Sequence, residues 1–230
     1  MYSKSVLHSA LHWWELAGVD TLVEEDVRDW FAPVRPREPV PAAEAAPAAP
    51  APAALPTDLA AFHEWWTSDT SLPGAPAQRV APSGDAASGL MLLIDMPDSA
   101  DAAAGALFSG EAGLLFDRML AAIGRDRQSA YLASIWPARP AGGIADKAHA
   151  ARLAEIALHH IALAAPRRLL LLGKGPVEAL TGLDVVQARG RLHDIGGVPA
   201  VATHLPTPAW RAAAKAAAWA DLLLLTEDFA

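Results

Sequence analysis

The residues of this chain that could do chemistry follow short apolar runs. Asp95 comes directly after such a run, and its carboxylate could orient a hydrolytic water molecule. A second interpretation stays open, in which Asp95 and Asp98 bracket Pro97 as the residues of a turn. Arg139 and Arg211 could contact phosphate or lie as ordinary surface cations. These residues form a site only if the fold brings the ends of the apolar runs together.

Other reactive combinations are excluded by composition or by spacing. The 230 residues include no cysteine, which excludes disulfides, thiolate zinc sites, cysteine-ligated iron–sulfur clusters and a cysteine nucleophile. His159 and His160 are interpreted as helix residues, because no zinc-site spacing surrounds them. The sequence at 173–175 is too short for a P-loop. We therefore predict neither a metal nor a cofactor.

The elements that must position these residues alternate between strands and helices. Apolar runs of strand length lie at residues 89–94, 130–135, 168–172 and 198–203. Helical patterns lie between and around them, at residues 57–68, 110–123, 146–163 and 209–225, with a further segment at 174–180. This alternation predicts a three-layer α/β/α domain with a short, mostly parallel central sheet. Ligands of such sheets usually bind beyond the carboxyl ends of the strands, so the loops after residues 94, 135, 172 and 203 are the expected site.

Composition divides the chain into three parts. Residues 1–32 are predicted to form a helical N-terminal element, and residues 57–230 the α/β domain. Residues 33–56 contain eight of the 19 prolines, and we predict a Pro/Ala-rich linker there because proline disfavours helices and central strands. The N-terminal helix could bind a protein partner or fold back onto the domain through an apolar face. That face consists of Leu7, Leu11, Trp13 and Trp14.

The charge distribution bears on partners and location. The net charge of −8 argues against indiscriminate nucleic-acid binding, yet residues 118–215 hold 13 of the 18 lysines and arginines and only 6 of the 26 acidic residues. Such a region is compatible with a phosphate-facing surface or with solvated helix faces. No apolar run approaches the ~20 residues of a membrane span, and residues 1–29 do not resemble a signal peptide. We expect a cytoplasmic protein without membrane association, nucleoid-associated if it binds DNA.

Four sequence blocks match the motif order of one enzyme family. Residues 94–98 read I-D-M-P-D against G-E-x-P-G, and residues 105–117 read G-A-L-F-S-G-E-A-G-L-L-F-D against G-x-P-F-x-G-x-A-G-x-L-L-D. Residues 131–140 are similar to Y-x-T-N-x-x-K-C-R-P, and residues 197–211 to G-x-P-x-x-x-T-Y-H-P. The chain thus resembles the uracil-DNA glycosylase superfamily, especially its bacterial iron–sulfur branch, over roughly residues 60–225. The resemblance implies the glycosylase-type α/β fold.

The resemblance also assigns roles to aligned positions. Asp95 stands at the family's acidic position and Phe108 at its base-stacking phenylalanine. Ser134 replaces the uracil-reading asparagine, while Leu205 replaces the motif histidine and His204 the tyrosine before it. A one-residue register slip could bring the imidazole into the site, although a slip in a buried strand reverses side-chain direction. The other residues of the implied base or nucleic-acid pocket are Pro97, Asp98, Arg139, Pro206 and Arg211.

These replacements fall on the positions that read and release uracil. The cluster ligands are missing as well, since Ala138 and Leu153 stand at two of the cysteine positions. The hydroxyl of Ser134 lacks the planar donor–acceptor pair of an amide, and Leu205 cannot stabilise a developing anion. We therefore expect a divergent member without conventional uracil excision that has a DNA-associated role in repair or replication.

Two alternatives stay open. One is an active DNA glycosylase of altered substrate that uses Asp95 and, after a register slip, His204. The other is a noncatalytic replication adaptor that resembles the psi subunit of bacterial DNA polymerase III and docks through the N-terminal helix. If the chain is an enzyme, we expect a DNA glycosylase, which is a hydrolase of N-glycosidic bonds.

Overall fold

The centre of the domain is a six-stranded sheet. In a computed structural model that describes residues 54–227, the strands lie in the order β1-β3-β2-β4-β6-β5. Their bounds are Ser83–Gly84 (β1), Leu90–Ile94 (β2), Tyr131–Ser134 (β3), Arg168–Leu172 (β4), Leu192–Ile195 (β5) and Val198–Thr203 (β6). Strands β2, β3, β4 and β6 run parallel, whereas β1 and β5 pair antiparallel at the two edges. The predicted three-layer fold with a mostly parallel sheet is confirmed.

Helices cover both faces of this sheet. They are Leu59–Ser68 (α1), Asp101–Ala104 (α2), Gly113–Ala122 (α3), Lys147–Ala164 (α4), Lys174–Thr181 (α5), Val185–Ala188 (α6) and Ala212–Thr226 (α7). Asp58 and Asp146 accept backbone hydrogen bonds at the first turns of α1 and α4, which fixes where those helices begin. The predicted element at 1–32 and residues 33–53 of the predicted linker lie outside the described residues, and so do Leu7, Leu11, Trp13 and Trp14.

Two apolar clusters, one on each face, hold the layers together. Alternate residues of each strand point to opposite faces, so one strand contributes to both clusters. On one face Met91 and Leu93 pack with residues of α1, α4, α5 and α6. On the other face Leu90 and Leu92 pack with residues of α3 and α7. Burial on both faces explains why the central strands are continuous apolar runs rather than alternating patterns.

The strand register places the functional loops at one edge of the sheet. Ile94, the last residue of β2, pairs with Ser134 of β3 and with Leu172 of β4. Leu172 in turn pairs with Thr203 of β6. The four parallel strands therefore end at the same level, and the residues that follow them meet at one surface.

Candidate functional site

A cleft opens at this carboxyl edge of the sheet. Its volume is about 680 Å³, and it lies between the loop after β2, the loop before α3 and the loop after β6. Six of the sequence-predicted residues line it: Asp95, Asp98, Phe108, Arg139, Leu205 and Pro206. Pro97 is buried and lines a smaller cavity of about 280 Å³ that shares Asp98 and Arg139 with the cleft. The fold therefore brings most of the predicted site together.

Asp95 is held by its backbone, and its carboxylate is left free. The backbone N–H of Trp136 donates to the Asp95 carbonyl oxygen at 2.8 Å, which fixes the residue at the end of β2. Within residues 54–227 the carboxylate forms no hydrogen bond. Burial raises the pKa of Asp95, the carboxylate of Glu178 adds to this effect, and Arg139 opposes it. An unpaired carboxylate of raised pKa in a cleft can accept a proton from a bound water molecule.

Gly175, in the first turn of α5, gives the Asp95 side chain its space. A Cβ atom at Gly175 would lie only 2.7 Å from the Cβ of Asp95, and closer still to its carboxylate. No rotamer change of Asp95 relieves the contact between the two Cβ atoms, because both are fixed by the backbone. The absence of a side chain at residue 175 is therefore part of the site.

Phe108 has a strained backbone that other residues stabilise. Its φ of +57° lies in the left-handed region, which is unfavourable for a phenylalanine. The Arg127 guanidinium donates to the carbonyl oxygens of Leu107 and Phe108 at 2.7 and 2.8 Å and pairs with Asp117 at 2.6 Å. The Phe108 ring lines the cleft and stacks on Phe116 with the ring centroids 4.0 Å apart. The sequence-predicted stacking residue thus lies in the cleft and also belongs to the core.

Asp101 is a site residue that the sequence analysis missed. Its side chain is buried, and its carboxylate accepts 2.8 Å hydrogen bonds from the backbone N–H groups of Asp98 and Ser109. These bonds join the loop after β2 to the loop before α3, on two sides of the cleft. An aspartate followed by three alanines and Gly105 is typical of a short helix, and this signal could have marked the position.

Ser134 does not face the cleft. Its side chain is only 3% exposed, and its hydroxyl donates to the Trp136 carbonyl oxygen at 2.8 Å. The hydroxyl is therefore committed within the loop after β3. By contrast, Leu205 is 41% exposed and presents an apolar side chain to the cleft, next to Gly173.

The three basic residues of the predicted site have different surroundings. Arg139 lines both cavities, donates to the Pro97 carbonyl oxygen at 3.4 Å and lies 3.9 Å from an Asp98 carboxylate oxygen. Arg211 is exposed at the start of α7 and lines neither cavity. His204 is half-buried, and it also lines neither cavity. Leu205 lines the cleft while His204, the residue before it, does not, so the predicted register slip that would bring the imidazole into the site is not present.

An iron–sulfur cluster does not fit this chain. No cysteine is present, and the two positions aligned with cluster ligands, Ala138 and Leu153, are buried. The backbone at Gly74 packs so closely on Ala138 that a Cβ atom there would lie 2.6 Å from the alanine Cβ. Across residues 54–227 no group of three histidine, aspartate or glutamate side chains could hold a metal ion. We therefore assign no step to a cluster.

These features define a class of protein: a three-layer α/β domain with a ligand-sized cleft at the carboxyl ends of parallel strands. The sequence model of the uracil DNA glycosylase superfamily matches residues 81–223, which is more than half of the chain. The chain belongs to the uracil DNA glycosylase superfamily. No curated protein matches it. None of the helices in the part of the chain that the structure describes is long and apolar enough to cross a membrane.

Proposed function

We propose that this protein is a divergent DNA glycosylase-like protein that does not carry out conventional uracil excision and has a DNA-associated role in repair or replication. The surroundings of Ser134 carry the proposal. The family position for reading the pairing edge of uracil holds a buried hydroxyl, which already donates to the Trp136 carbonyl oxygen. A flipped uracil would find no amide there to pair with its carbonyl and N–H groups.

The residue that would meet the departing base supports the same conclusion. When the bond between uracil and deoxyribose breaks, negative charge develops on the base, and catalysis of this step needs a hydrogen-bond donor or a positive charge beside it. Leu205 lines the cleft at the family's histidine position and has neither. His204, next to it in sequence, lies outside the cleft.

A single-turnover assay tests the proposal. Excess protein is incubated with single- and double-stranded DNA that contains uracil, and base release and DNA binding are measured in parallel. We expect no uracil release and salt-sensitive binding. Uracil release by the wild type that Asp95→Asn abolishes would refute the proposal, and neither release nor binding would favour the protein-adaptor alternative.

Charge reversal at Arg139 tests where DNA binds. Arg139 lines the cleft, and its side chain is 43% exposed. Arg152 has a similarly exposed side chain, at 38%, but it lies on α4 in an ion pair with Glu155. Arg139→Glu should weaken DNA binding about tenfold or more, because one phosphate contact is lost and a repulsive charge is added. Arg152→Glu is the matched control, and equal effects of the two variants would place DNA elsewhere.

A second candidate function rests on Asp95. This carboxylate lines the cleft without a hydrogen-bond partner in the described part of the chain, and burial raises its pKa. These properties suit a general base that activates water, so an active glycosylase of altered substrate is the alternative that we retain. Hypoxanthine release that Asp95→Asn abolishes would favour it, and release unaffected by that substitution would exclude a role for the carboxylate.

A further inference from the structure

The charge of the cleft is unusual for a site that receives a neutral base from DNA. Four acidic residues line it, namely Asp95, Asp98, Asp101 and Glu111, while Arg139 is the one lysine or arginine among the lining residues that the structure describes. The cleft is a candidate site independently of these charges, because it lies at the carboxyl edge of the sheet in a member of this superfamily. The carboxylates indicate which kind of ligand the cleft binds.

Two of these carboxylates are available to a ligand. The Asp101 carboxylate is occupied by two backbone N–H groups, and Asp98 accepts the N–H of Ser99 and lies near Arg139. Asp95 and Glu111 form no hydrogen bond or ion pair with any residue between 54 and 227. A ligand in the cleft therefore meets two carboxylates that no hydrogen bond or salt bridge from the described residues occupies.

The remaining walls of the cleft contribute mostly apolar surface. The polar exceptions are the hydroxyls of Ser99 and Thr207, which can donate or accept a hydrogen bond. The larger apolar side chains are Ile94, Met96, Phe108, Leu205, Pro206 and Pro208. Such walls suit the flat face of a base. They offer little to an anionic leaving group.

We infer that the cleft takes a nucleobase that already bears a positive charge, such as a purine alkylated at N7 or N3, rather than uracil. This inference rests on the proposed function, since it assumes that the cleft meets DNA without excising uracil. A cationic base is attracted by Asp95 and Glu111 and stacks against apolar side chains. Binding of a charged base then does not depend on a side-chain amide at residue 134.

The chemistry of release fits the same class of base. When the bond between C1′ and the nitrogen of an alkylated purine breaks, its electron pair stays on the base and cancels the positive charge. The base leaves as a neutral molecule, so no anion stabiliser is needed at Leu205. Water supplies the hydroxyl group that bonds to C1′, and its proton passes to the Asp95 carboxylate and then to solvent.

Duplexes with one modified nucleotide test this inference on the full-length protein. The probes are synthetic DNA duplexes that contain a single 7-methyl-2′-deoxyguanosine, 2′-deoxyguanosine or 2′-deoxyuridine at the same position, and all are measured at one salt concentration. We expect the methylated duplex to bind at least tenfold more tightly than the 2′-deoxyguanosine duplex, or to release 7-methylguanine while the other two probes release no base. Asp95→Asn and Glu111→Gln should each reduce this preference several-fold, whereas Glu155→Gln on α4 should not. Near-UV circular dichroism verifies that every variant is folded.

Each outcome separates this inference from the proposed function. Equal binding of the methylated and unmethylated duplexes, without release of 7-methylguanine, overturns the inference and leaves the proposed function intact. A preference that neither substitution changes overturns the assignment to Asp95 and Glu111. Release of uracil refutes the proposed function directly, whatever the methylated probe shows.

Discussion

Replacing Arg79 by methionine should destabilise the domain more than any surface substitution. This arginine is buried between α1 and β1, and its guanidinium donates to the carbonyl oxygens of Trp66, Asp69, Leu72 and Gly74. The distances are 3.4, 2.7, 2.9 and 3.0 Å, and its Nε atom makes a further bond to Gly74 at 3.2 Å. One side chain therefore donates to four backbone carbonyl oxygens between residues 66 and 74.

The magnitude follows from the burial of these bonds. The bonds to Trp66 and Leu72 are fully buried, and a buried carbonyl left without a donor costs about 1–3 kcal/mol. The bonds to Asp69 and Gly74 are partly exposed, so water can replace the arginine there. Burial lowers the pKa of Arg79, so removing the charge regains part of its desolvation cost. Two buried carbonyls without a donor cost about 2–6 kcal/mol together, so we expect the free energy of unfolding to fall by about 4 kcal/mol, which corresponds to roughly 8–16 °C in Tm for a domain of this size.

Urea unfolding followed by far-UV circular dichroism and tryptophan fluorescence measures this loss. Fluorescence is informative because Trp66 donates its indole N–H to the Val80 carbonyl oxygen at 3.0 Å, beside the guanidinium. The exposed Arg152→Met variant is the control, and it should change the free energy of unfolding by no more than about 0.5 kcal/mol. An Arg79→Met loss equal to that of the control would refute the argument that backbone carbonyls depend on this side chain.

Three further substitutions test separate parts of the structure. Burial, and to a smaller extent the neighbouring histidines, lower the pKa of His160 to about 3. The unfolded chain therefore binds a proton at this residue more readily than the folded one, so the free energy of unfolding should fall as pH drops from about 6.5 towards 3. The slope should reach up to about 1.4 kcal/mol per pH unit. Urea unfolding over this pH range checks the slope, which His160→Gln should reduce. Gly175→Ala should lower the free energy of unfolding by about 1–3 kcal/mol, because the new Cβ atom meets Asp95, although alanine has the better helix propensity. A variant that is more stable than the wild type in the same assay would contradict this. Arg127→Met should cost about 2–3 kcal/mol and loosen the loop at Phe108, which increased proteolysis of that loop would reveal.

The central strands were predictable because their sequences carry a strong physical signal. Strands β2 and β4 are buried on both faces and consist almost entirely of leucine, methionine and isoleucine. The two edge strands give no such signal. Strand β5 includes His193 and Asp194, and its Leu192 is exposed, while β1 has only two residues. An edge strand is stabilised by hydrogen bonds to its neighbour, and these do not depend on side-chain type.

The candidate site was predictable to the extent that strand ends define it. The rule that ligands bind beyond the carboxyl ends of strands pointed to the loops after residues 94 and 203, and Asp95 and Leu205 of these loops both line the cleft. It could not select Arg79 or Arg127, because neither residue follows a strand and both donate mainly to backbone carbonyl oxygens. Every residue has such groups, so the pairing leaves no pattern in the sequence.

The strained loop at Phe108 argues that the cleft is in use. A non-glycine residue held at positive φ costs about 1–3 kcal/mol, and such strain persists only where surrounding contacts over-determine the conformation. Here Arg127 and Asp101 fix the loop from two sides with three hydrogen bonds to its backbone groups. If the cleft took no ligand, a relaxed loop would make the domain more stable without loss. The retained strain, together with the Asp95 carboxylate that has no hydrogen-bond partner among residues 54–227, therefore supports the proposal that the cleft takes a ligand over the alternative that it is only a structural remnant.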